Sequence, residues 1–199
     1  MKLYSAPASP FVRKVMIVLH ETGRLDEVEV VAAGGHPLAQ DNMPVAHNPL
    51  GKIPTLARDD GPAIYDSAVI CRFLGEAHGL YPDARLWEAL TLEATADGIC
   101  DAAILMVYEA RCRDEAQRSA DWVEAQWSKV TRALDTLEER WISHLAGPLD
   151  IGQIAVGCAL AYLDFRHGTR DWRGERPQLA AWYEEFAARP AMQATIPEG

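Results

Sequence analysis

Two residues near the N-terminus, Ser9 and Pro10, have the order that begins a helix and could stabilise an anion there. They follow a strand-like segment at residues 2–5 and a turn that contains Pro7. Serine caps a helix because its hydroxyl satisfies an orphan backbone N–H, and proline fits the first helical position because it has no N–H to leave unpaired. The pattern predicts a hydroxyl at the positive end of a helix, where an anion is stabilised. Helix capping alone would also explain both residues.

The stretch 48–56 is a second candidate because it places a proline at the start of a strand. Pro54 cannot donate to a sheet ladder, which favours an edge position or a cis bond after Ile53. A cis bond would turn the N–H and C=O of Ile53 away from the sheet and toward an extended peptide ligand. An ordinary loop that contains proline is the alternative.

Asp66 and Ser67 form a third candidate at another predicted helix start. The free N–H groups of the helix end and the Ser67 hydroxyl could bind a carboxylate, and Asp66 could offset an ammonium group. Capping of the helix is again the simpler alternative.

Composition and charge argue against some classes of function. The 199 residues carry a formal charge of −10, which argues against a nucleic-acid partner. The apolar runs are shorter than the roughly 20 residues that span a bilayer, and the N-terminus lacks the pattern of a signal peptide. We therefore expect a cytoplasmic protein without a membrane partner.

The four cysteines are far apart and have no spacing typical of a metal site or a redox motif. We expect no metal. The pattern favours buried, hydrophobic roles for Cys71, Cys100, Cys112 and Cys158.

Hydrophobic periodicity predicts an α/β domain at residues 1–79, a linker at 80–84 and an all-helical domain at 85–199. The first domain is expected to have the order β-α-β-α-β-β-α. Its predicted strands cover residues 2–5, 28–31, 53–57 and 63–65, and its predicted helices cover residues 10–22, 37–46 and 66–78. The helices predicted in the second domain cover residues 85–113, 115–143, 150–166 and 177–188. Asp150 and Gln153 have the spacing of a capping box at the third of these.

Taken together, the three candidate stretches resemble the N-terminal domain of the glutathione transferase superfamily, in a bacterial, serine-dependent form. The similarity in order and spacing covers residues 9–15, 48–56 and 66–74. Residues 96–101, 151–166 and 177–190 are similar to the helical domain of the family. The resemblance implies a thioredoxin-like domain followed by a helical bundle, with glutathione as co-substrate.

The resemblance also implies a glutathione site. Ser9 would be the catalytic residue and donate its hydroxyl hydrogen to the glutathione sulfur. The backbone of Ile53 would pair with the cysteinyl part, and Lys52 would lie near the glycyl carboxylate. Asp66 and Ser67 would hold the γ-glutamyl ammonium and carboxylate. The implied glutathione-binding residues are Phe11, Lys52, Ile53, Pro54, Asp66, Ser67 and Asp101.

Members of the family usually form dimers, so the resemblance implies a homodimer. Asp101 would reach the γ-glutamyl group across the dimer interface; a helix-surface or interdomain role is the alternative for this carboxylate. A small hydrophobic electrophile would bind between the domains. Its implied contacts are Tyr4, Ile104, Met106, Val107 and Tyr108.

Several alternatives stay open at this level. The same site could serve peroxide reduction, dehalogenation or isomerisation, or bind glutathione without catalysis. Tyr4 competes with Ser9 as the activating residue but lies within the predicted first strand. Thiol–disulfide chemistry is not expected, since no cysteine stands at the Ser9 position. Arg13 is expected to pair with Asp97 or another carboxylate of the helical domain and to hold the domains together.

Overall fold

The computed structural model describes residues 1–39 and 42–198, which form a small mixed sheet beside a larger group of helices. The strands are β1 (Lys2–Ser5), β2 (Glu29–Ala32) and β3 (Thr55–Ala57). The central strand β1 pairs parallel with β2 and antiparallel with β3. The helices of this first half are α1 (Pro10–Glu21) and α2 (Ser67–Gly75).

The second half of the chain is helical, so the predicted fold class is confirmed. Its helices are α3 (Leu86–Cys112), α4 (Ala120–Arg140), α5 (Ile142–Leu145), α6 (Ile151–His167), α7 (Pro177–Ala187) and α8 (Pro190–Gln193). Helix α6 lies at the centre, because every residue from its start to Leu163 is buried and it packs against α3, α1 and α7.

The capping box predicted at the start of α6 is confirmed. Asp150 Oδ1 accepts the N–H of Gly152 at 3.0 Å, and Gln153 Oε1 accepts the N–H of Asp150 at 2.7 Å. The Asp150 side chain also contacts His144 Nε2 at 2.8 Å. Since Asp150 is fully buried, these hydrogen bonds replace the water that the carboxylate loses.

The predicted helix over residues 37–46 is wrong for the part that the structure describes. Residues 37–39 and 42–46 form turns and irregular chain, while residues 40 and 41 lie outside the described part. Pro37 and Pro44 give the physical reason, since proline removes a helical N–H and pushes the residue before it out of helical conformation.

Two further elements differ from the sequence expectation. Residues 63–65 form no strand; a single bridge joins Ile64 to Leu56, because Pro62 cannot extend a ladder. The helix expected over residues 115–143 is divided into α4 and α5, and α4 begins only after Ser119. The hydroxyl of Ser119 caps it by accepting the N–H of Trp122 at 3.2 Å.

A buried ion cluster joins α1 to α3. Lys14 Nζ lies 3.0 Å from Glu93 Oε1 and 2.7 Å from Asp97 Oδ2. The side chains of Lys14 and Glu93 are 1% and 3% exposed, so water scarcely screens the attraction. The cluster therefore holds the first helix of the sheet domain against the first long helix of the second half.

The expectation that Arg13 would make this connection is wrong by one residue. The Arg13 guanidinium donates instead to the carbonyl oxygen of Met192 in α8 at 3.0 Å and to Thr195 Oγ1 at 3.3 Å. Consecutive helical side chains point about 100° apart, so Lys14 faces α3 while Arg13 faces the C-terminal end of the chain.

The ion cluster shifts the pKa values of its members. Burial raises the pKa of the Glu93 and Asp97 carboxyl groups, although the charge of Lys14 opposes that rise. Burial alone would lower the pKa of Lys14, but the nearby carboxylates hold it above its usual value. A raised lysine pKa stabilises the fold at neutral pH, and that contribution is lost only above the ordinary lysine value of ~10.4.

Replacing Lys14 by Met should lower the free energy of unfolding by about 3–5 kcal/mol, the typical cost of leaving a buried charge unpaired. The loss should grow as pH rises above the ordinary carboxyl pKa of ~4.3, because without Lys14 the folded state resists ionisation of Glu93 more than the unfolded chain does. Urea unfolding followed by tryptophan fluorescence at several pH values measures both effects.

A matched variant, Lys14→Met/Glu93→Gln/Asp97→Asn, removes all the charges of the cluster together. It should recover most of the lost stability, since no uncompensated charge is then buried. If Lys14→Met alone lowered the free energy of unfolding by less than about 1 kcal/mol, that result would contradict a structural role for the cluster.

Candidate functional site

Ser9 caps the N-terminus of α1. Its Oγ accepts the N–H of Val12 at 3.3 Å, and its own N–H donates to the carbonyl of Ala6 at 3.1 Å. Pro10 is the first residue of the helix. A hydroxyl has one hydrogen to donate and two lone pairs, so capping leaves that hydrogen for a ligand. The half-buried Ser9 side chain can therefore cap the helix and donate to an anion at the same time.

The loop before β3 presents the backbone of Ile53. The Ile53–Pro54 peptide bond is cis. Within residues 1–39 and 42–198, neither the N–H nor the C=O of Ile53 has a hydrogen-bond partner, while the residue is only half-buried. Both groups are available to an extended ligand, and Pro54 itself is buried beneath them.

Asn48 holds this loop in place and is a residue that the sequence reasoning missed. Its Nδ2 donates to the carbonyl of Lys52 and to Thr55 Oγ1, both at 3.1 Å, and its Oδ1 accepts the N–H of Leu50 at 3.0 Å. Asn48 is 1% exposed, so these bonds satisfy a buried amide. The Asn-Pro-Leu-Gly turn preceding Lys52 was the available signal, because Asn folds onto its own backbone in turns.

Asp66 and Ser67 begin α2. Asp66 caps the helix, with Oδ1 accepting the N–H of Ala68 at 3.1 Å, and remains exposed. The Tyr65–Asp66 peptide bond is also cis. Ser67 is 3% exposed and stands at the first helical position, beside the free N–H groups of the helix end. This helix end thus offers donors for a carboxylate and one carboxylate for a cation.

Asp101 on α3 faces the same region. Burial raises its pKa, the charge of Lys52 opposes the rise, and Asp66 adds to it. These interactions place Asp101 within electrostatic range of both residues in its own chain. Four of the predicted glutathione-binding residues therefore lie near one another in the structure: Lys52, Asp66, Ser67 and Asp101. Phe11 lies on the first turn of α1, where its ring packs against the core.

A narrow crevice opens beside Ser9, between the start of α1 and the middle of α6. Its walls are formed by Ala8, Ser9, Pro10, Arg13, Cys158, Tyr162 and Pro197. Burial raises the pKa of the Cys158 thiol to about 12, although the charge of Arg13 opposes that rise. Cys158 is therefore a neutral thiol near pH 7 and a poor nucleophile.

None of the residues predicted to contact an electrophile forms part of the wall of this crevice. The ring of Tyr4 packs against that of His47 in a tilted arrangement, with ring centroids 5.3 Å apart. Tyr108 is 39% exposed. Met106 is 6% exposed, so it offers little surface to a ligand in this conformation. Ile104 and Val107 are partly buried on α3.

Two negative observations apply to the described ranges of the chain. None of their helices has both the length and the apolar character needed to cross a bilayer. They also contain no cluster of three or more side chains placed to hold a metal ion.

Comparison with known proteins assigns both halves of the chain. The family model of the glutathione S-transferase N-terminal domain matches residues 8–77, and the model of its C-terminal domain matches residues 120–185. The chain is 35% identical to YibF, an uncharacterized GST-like protein of Escherichia coli K12. That alignment covers 99% of this chain and 98% of YibF.

Solved structures agree with this assignment. A glutathione transferase family member from Pseudomonas fluorescens Pf-5, crystallised with bound glutathione, is 47% identical with a TM-score of 0.95. The match covers 100% of this chain and 99% of that one. A second structure of a family member from that strain holds S-(propanoic acid)-glutathione; it is 46% identical with a TM-score of 0.91, and all of both chains is covered. Since the identity is high over the full length and the fold agrees, the chain belongs to the glutathione S-transferase superfamily.

Proposed function

We propose that the protein is a glutathione transferase in which Ser9 stabilises the glutathione thiolate for attack on a small hydrophobic electrophile. The observation that carries the proposal is the position of Ser9. Its hydroxyl caps α1 through the N–H of Val12 and keeps its own hydrogen for a ligand at the helix end. The binding of glutathione by the Pseudomonas relative supports the choice of thiol.

The energy required is within reach of these groups. A free thiol has a pKa of ~8.5, and lowering it by about two units needs roughly 2.7 kcal/mol of preference for the anion. A hydrogen bond to a charged partner supplies about 1.5–3 kcal/mol. The helix N-terminus adds about 0.3–1 kcal/mol. Serine and the end of α1 together suffice without a general base.

The rest of glutathione is proposed to bind along the edge of the sheet domain. The free N–H and C=O of Ile53, next to Pro54, would pair with the cysteinyl backbone, and Lys52 would attract the glycyl carboxylate. Ser67 and the start of α2 would hold the γ-glutamyl carboxylate. Asp66 and Asp101 would flank the ammonium group, whose positive charge would relieve the repulsion between them. Phe11 would pack beneath the thiol on the first turn of α1.

The electrophile is proposed to enter beside Ser9 from the side of α3. Tyr4, Ile104, Val107 and Tyr108 would offer apolar contact there. The relative that holds S-(propanoic acid)-glutathione supports a site with room for a small group on the sulfur. Mixed-disulfide chemistry is disfavoured, since the cysteine of the Ser9 crevice is held as a neutral thiol.

We further propose a cytoplasmic homodimer whose protomers have domains at residues 1–79 and 85–199, with a linker at 80–84. The boundary agrees with the end of the N-terminal family match and precedes α3. Asp101 would act either within its own chain, where Lys52 and Asp66 lie near it, or across the dimer interface.

Replacing Ser9 by Ala should return the pKa of bound glutathione to within about half a unit of the free value of ~8.5, because the stabilising donor is gone. The rate kcat should fall by about tenfold or more while the Kd of glutathione changes little. Titration of the thiolate absorbance in the presence of protein measures the pKa.

Ser9→Gly is the matched control, since glycine caps a helix nearly as well as serine but has no hydroxyl. It should lose the pKa shift like Ser9→Ala while keeping more of the helix stability. Full activity in both variants, with Tyr4→Phe inactive, would transfer the role to Tyr4.

Replacing Asp66 by Asn should raise KM for glutathione by about tenfold or more, since a hydrogen bond to a charged group is worth about 1.5–3 kcal/mol. Asparagine still caps α2, so the stability should hardly change. Initial rates at varied glutathione measure the effect. Asp60→Asn, in the exposed turn between β3 and Ile64, is the control. An equal change of KM in both variants would exclude a contact of Asp66 with glutathione.

Sedimentation equilibrium should give the mass of a dimer. If the protein is monomeric at assay concentration, the homodimer is wrong. If the protein is a monomer and Asp101→Asn nevertheless raises KM for glutathione, Asp101 acts within its own chain.

A further inference from the structure

The guanidinium of Arg13 has one nitrogen without a partner. Nη2 donates to the carbonyl of Met192 and Nε donates to Thr195 Oγ1, but Nη1 is buried and makes no hydrogen bond. The residue is 6% exposed, and no carboxylate of the described ranges lies within ion-pair distance of it. Burial of a cation without a counter-ion costs free energy, so binding of an anion to Arg13 would be favourable.

Arg13 is one of the residues that line the crevice of Ser9. Arg13 follows Ser9 by four residues, which is about one helical turn, so both side chains lie on one side of α1. Tyr162 is in the same wall, and a hydrogen bond links it to Arg166. The polar side chains of the crevice are thus hydroxyls, a neutral thiol and a guanidinium, and no acidic side chain is among them.

The end of the chain closes this crevice. Pro197 lies in its wall, and no space within it admits a water-sized sphere in this conformation. The Thr195 contact to Arg13 is long at 3.3 Å, and the neighbouring Ile196 is 58% exposed. Moving residues 195–198 outward gives up this long contact and the hydrogen bonds that Thr195 Oγ1 donates to the carbonyls of Ala191 at 2.8 Å and Met192 at 3.5 Å, which water can replace, and it exposes little apolar surface.

We propose that Arg13 determines specificity by binding a carboxylate on the electrophile, so that the preferred substrates are short acids such as 2-haloalkanoates. This inference rests on the proposed transferase function. The glutathione thiolate attacks the halogen-bearing carbon, a carbon–sulfur bond forms, and the halide leaves with the electrons of the broken carbon–halogen bond. The thiol proton has already passed to solvent. Arg13 Nη1 holds the neighbouring carboxylate after residues 195–198 move aside.

The test compares 2-bromopropanoate with 2-bromopropanamide, which differ in charge but hardly in size. Bromide release, divided by the uncatalysed rate for each compound, should favour the acid in the unmodified protein. Arg13→Met should lower kcat/KM for the acid by about tenfold or more relative to the amide, the effect of losing a charge-assisted hydrogen bond. Arg13→Lys keeps the charge without the planar fork and should give an intermediate ratio.

Arg176→Met is the matched control. Arg176 is also a buried arginine with an unpaired nitrogen, but it lies in the helical domain, bound to Asp135 and to the carbonyl of Trp172. This variant should be less stable because it loses these contacts, yet its ratio of acid to amide rates should equal that of the unmodified protein. If Arg13→Met lowered kcat/KM equally for the acid and the amide, Arg13 would only hold the C-terminal residues in place, and the inference would be overturned.

A binding measurement separates this inference from the proposed function. Calorimetry with S-(1-carboxyethyl)glutathione and its carboxamide analogue needs no turnover. Tighter binding of the acid that disappears in Arg13→Met supports the carboxylate subsite even if no electrophile is conjugated. Equal affinity for the two conjugates in the unmodified protein would overturn the subsite, whether or not Ser9 supports transfer.

Discussion

The ion cluster of Lys14, Glu93 and Asp97 is the interaction on which the geometry of this protein depends. It fixes α1, whose first residues present Ser9, against α3, whose next turn presents Asp101. The cluster is buried, so its Coulomb attraction is strong, and removal of one partner would leave an unpaired charge in the interior. Such a contact gives little net stability compared with apolar packing, but it allows only one register between the two helices.

This arrangement is compatible with an acidic protein that binds the proposed anionic peptide. The chain has a net charge of −10, yet the proposed site combines the carboxylates of Asp66 and Asp101 with positive groups, which are the N-terminal ends of α1 and α2, Lys52 and the guanidinium of Arg13. Local dipoles and single cations act over a few ångströms, whereas the distant surface carboxylates are screened by salt. Overall charge therefore says little about the ligand of this site.

Several features were predictable because they depend on residues close together in the chain. Ser9 with Pro10, Asp66 with Ser67, and Asp150 with Gln153 each begin a helix as expected, since capping needs only the side chain and the N–H groups two or three residues away. The helix expected at 37–46 is absent from the described residues 37–39 and 42–46, because Pro37 and Pro44 disfavour helical backbone.

The linear order of residues was thus enough to identify the starts of α1, α2 and α6, the change from an α/β to a helical half, and the family that combines them. It could not decide which of two adjacent cations, Arg13 or Lys14, would face α3, because that depends on the rotation of α1 in the packed protein. Nor could the sequence predict that Asp101 lies near Lys52, or that Arg13 Nη1 has no hydrogen-bond partner. These contacts join residues roughly 50 to 180 positions apart, and only the packing of α1, α3 and α6 brings them together.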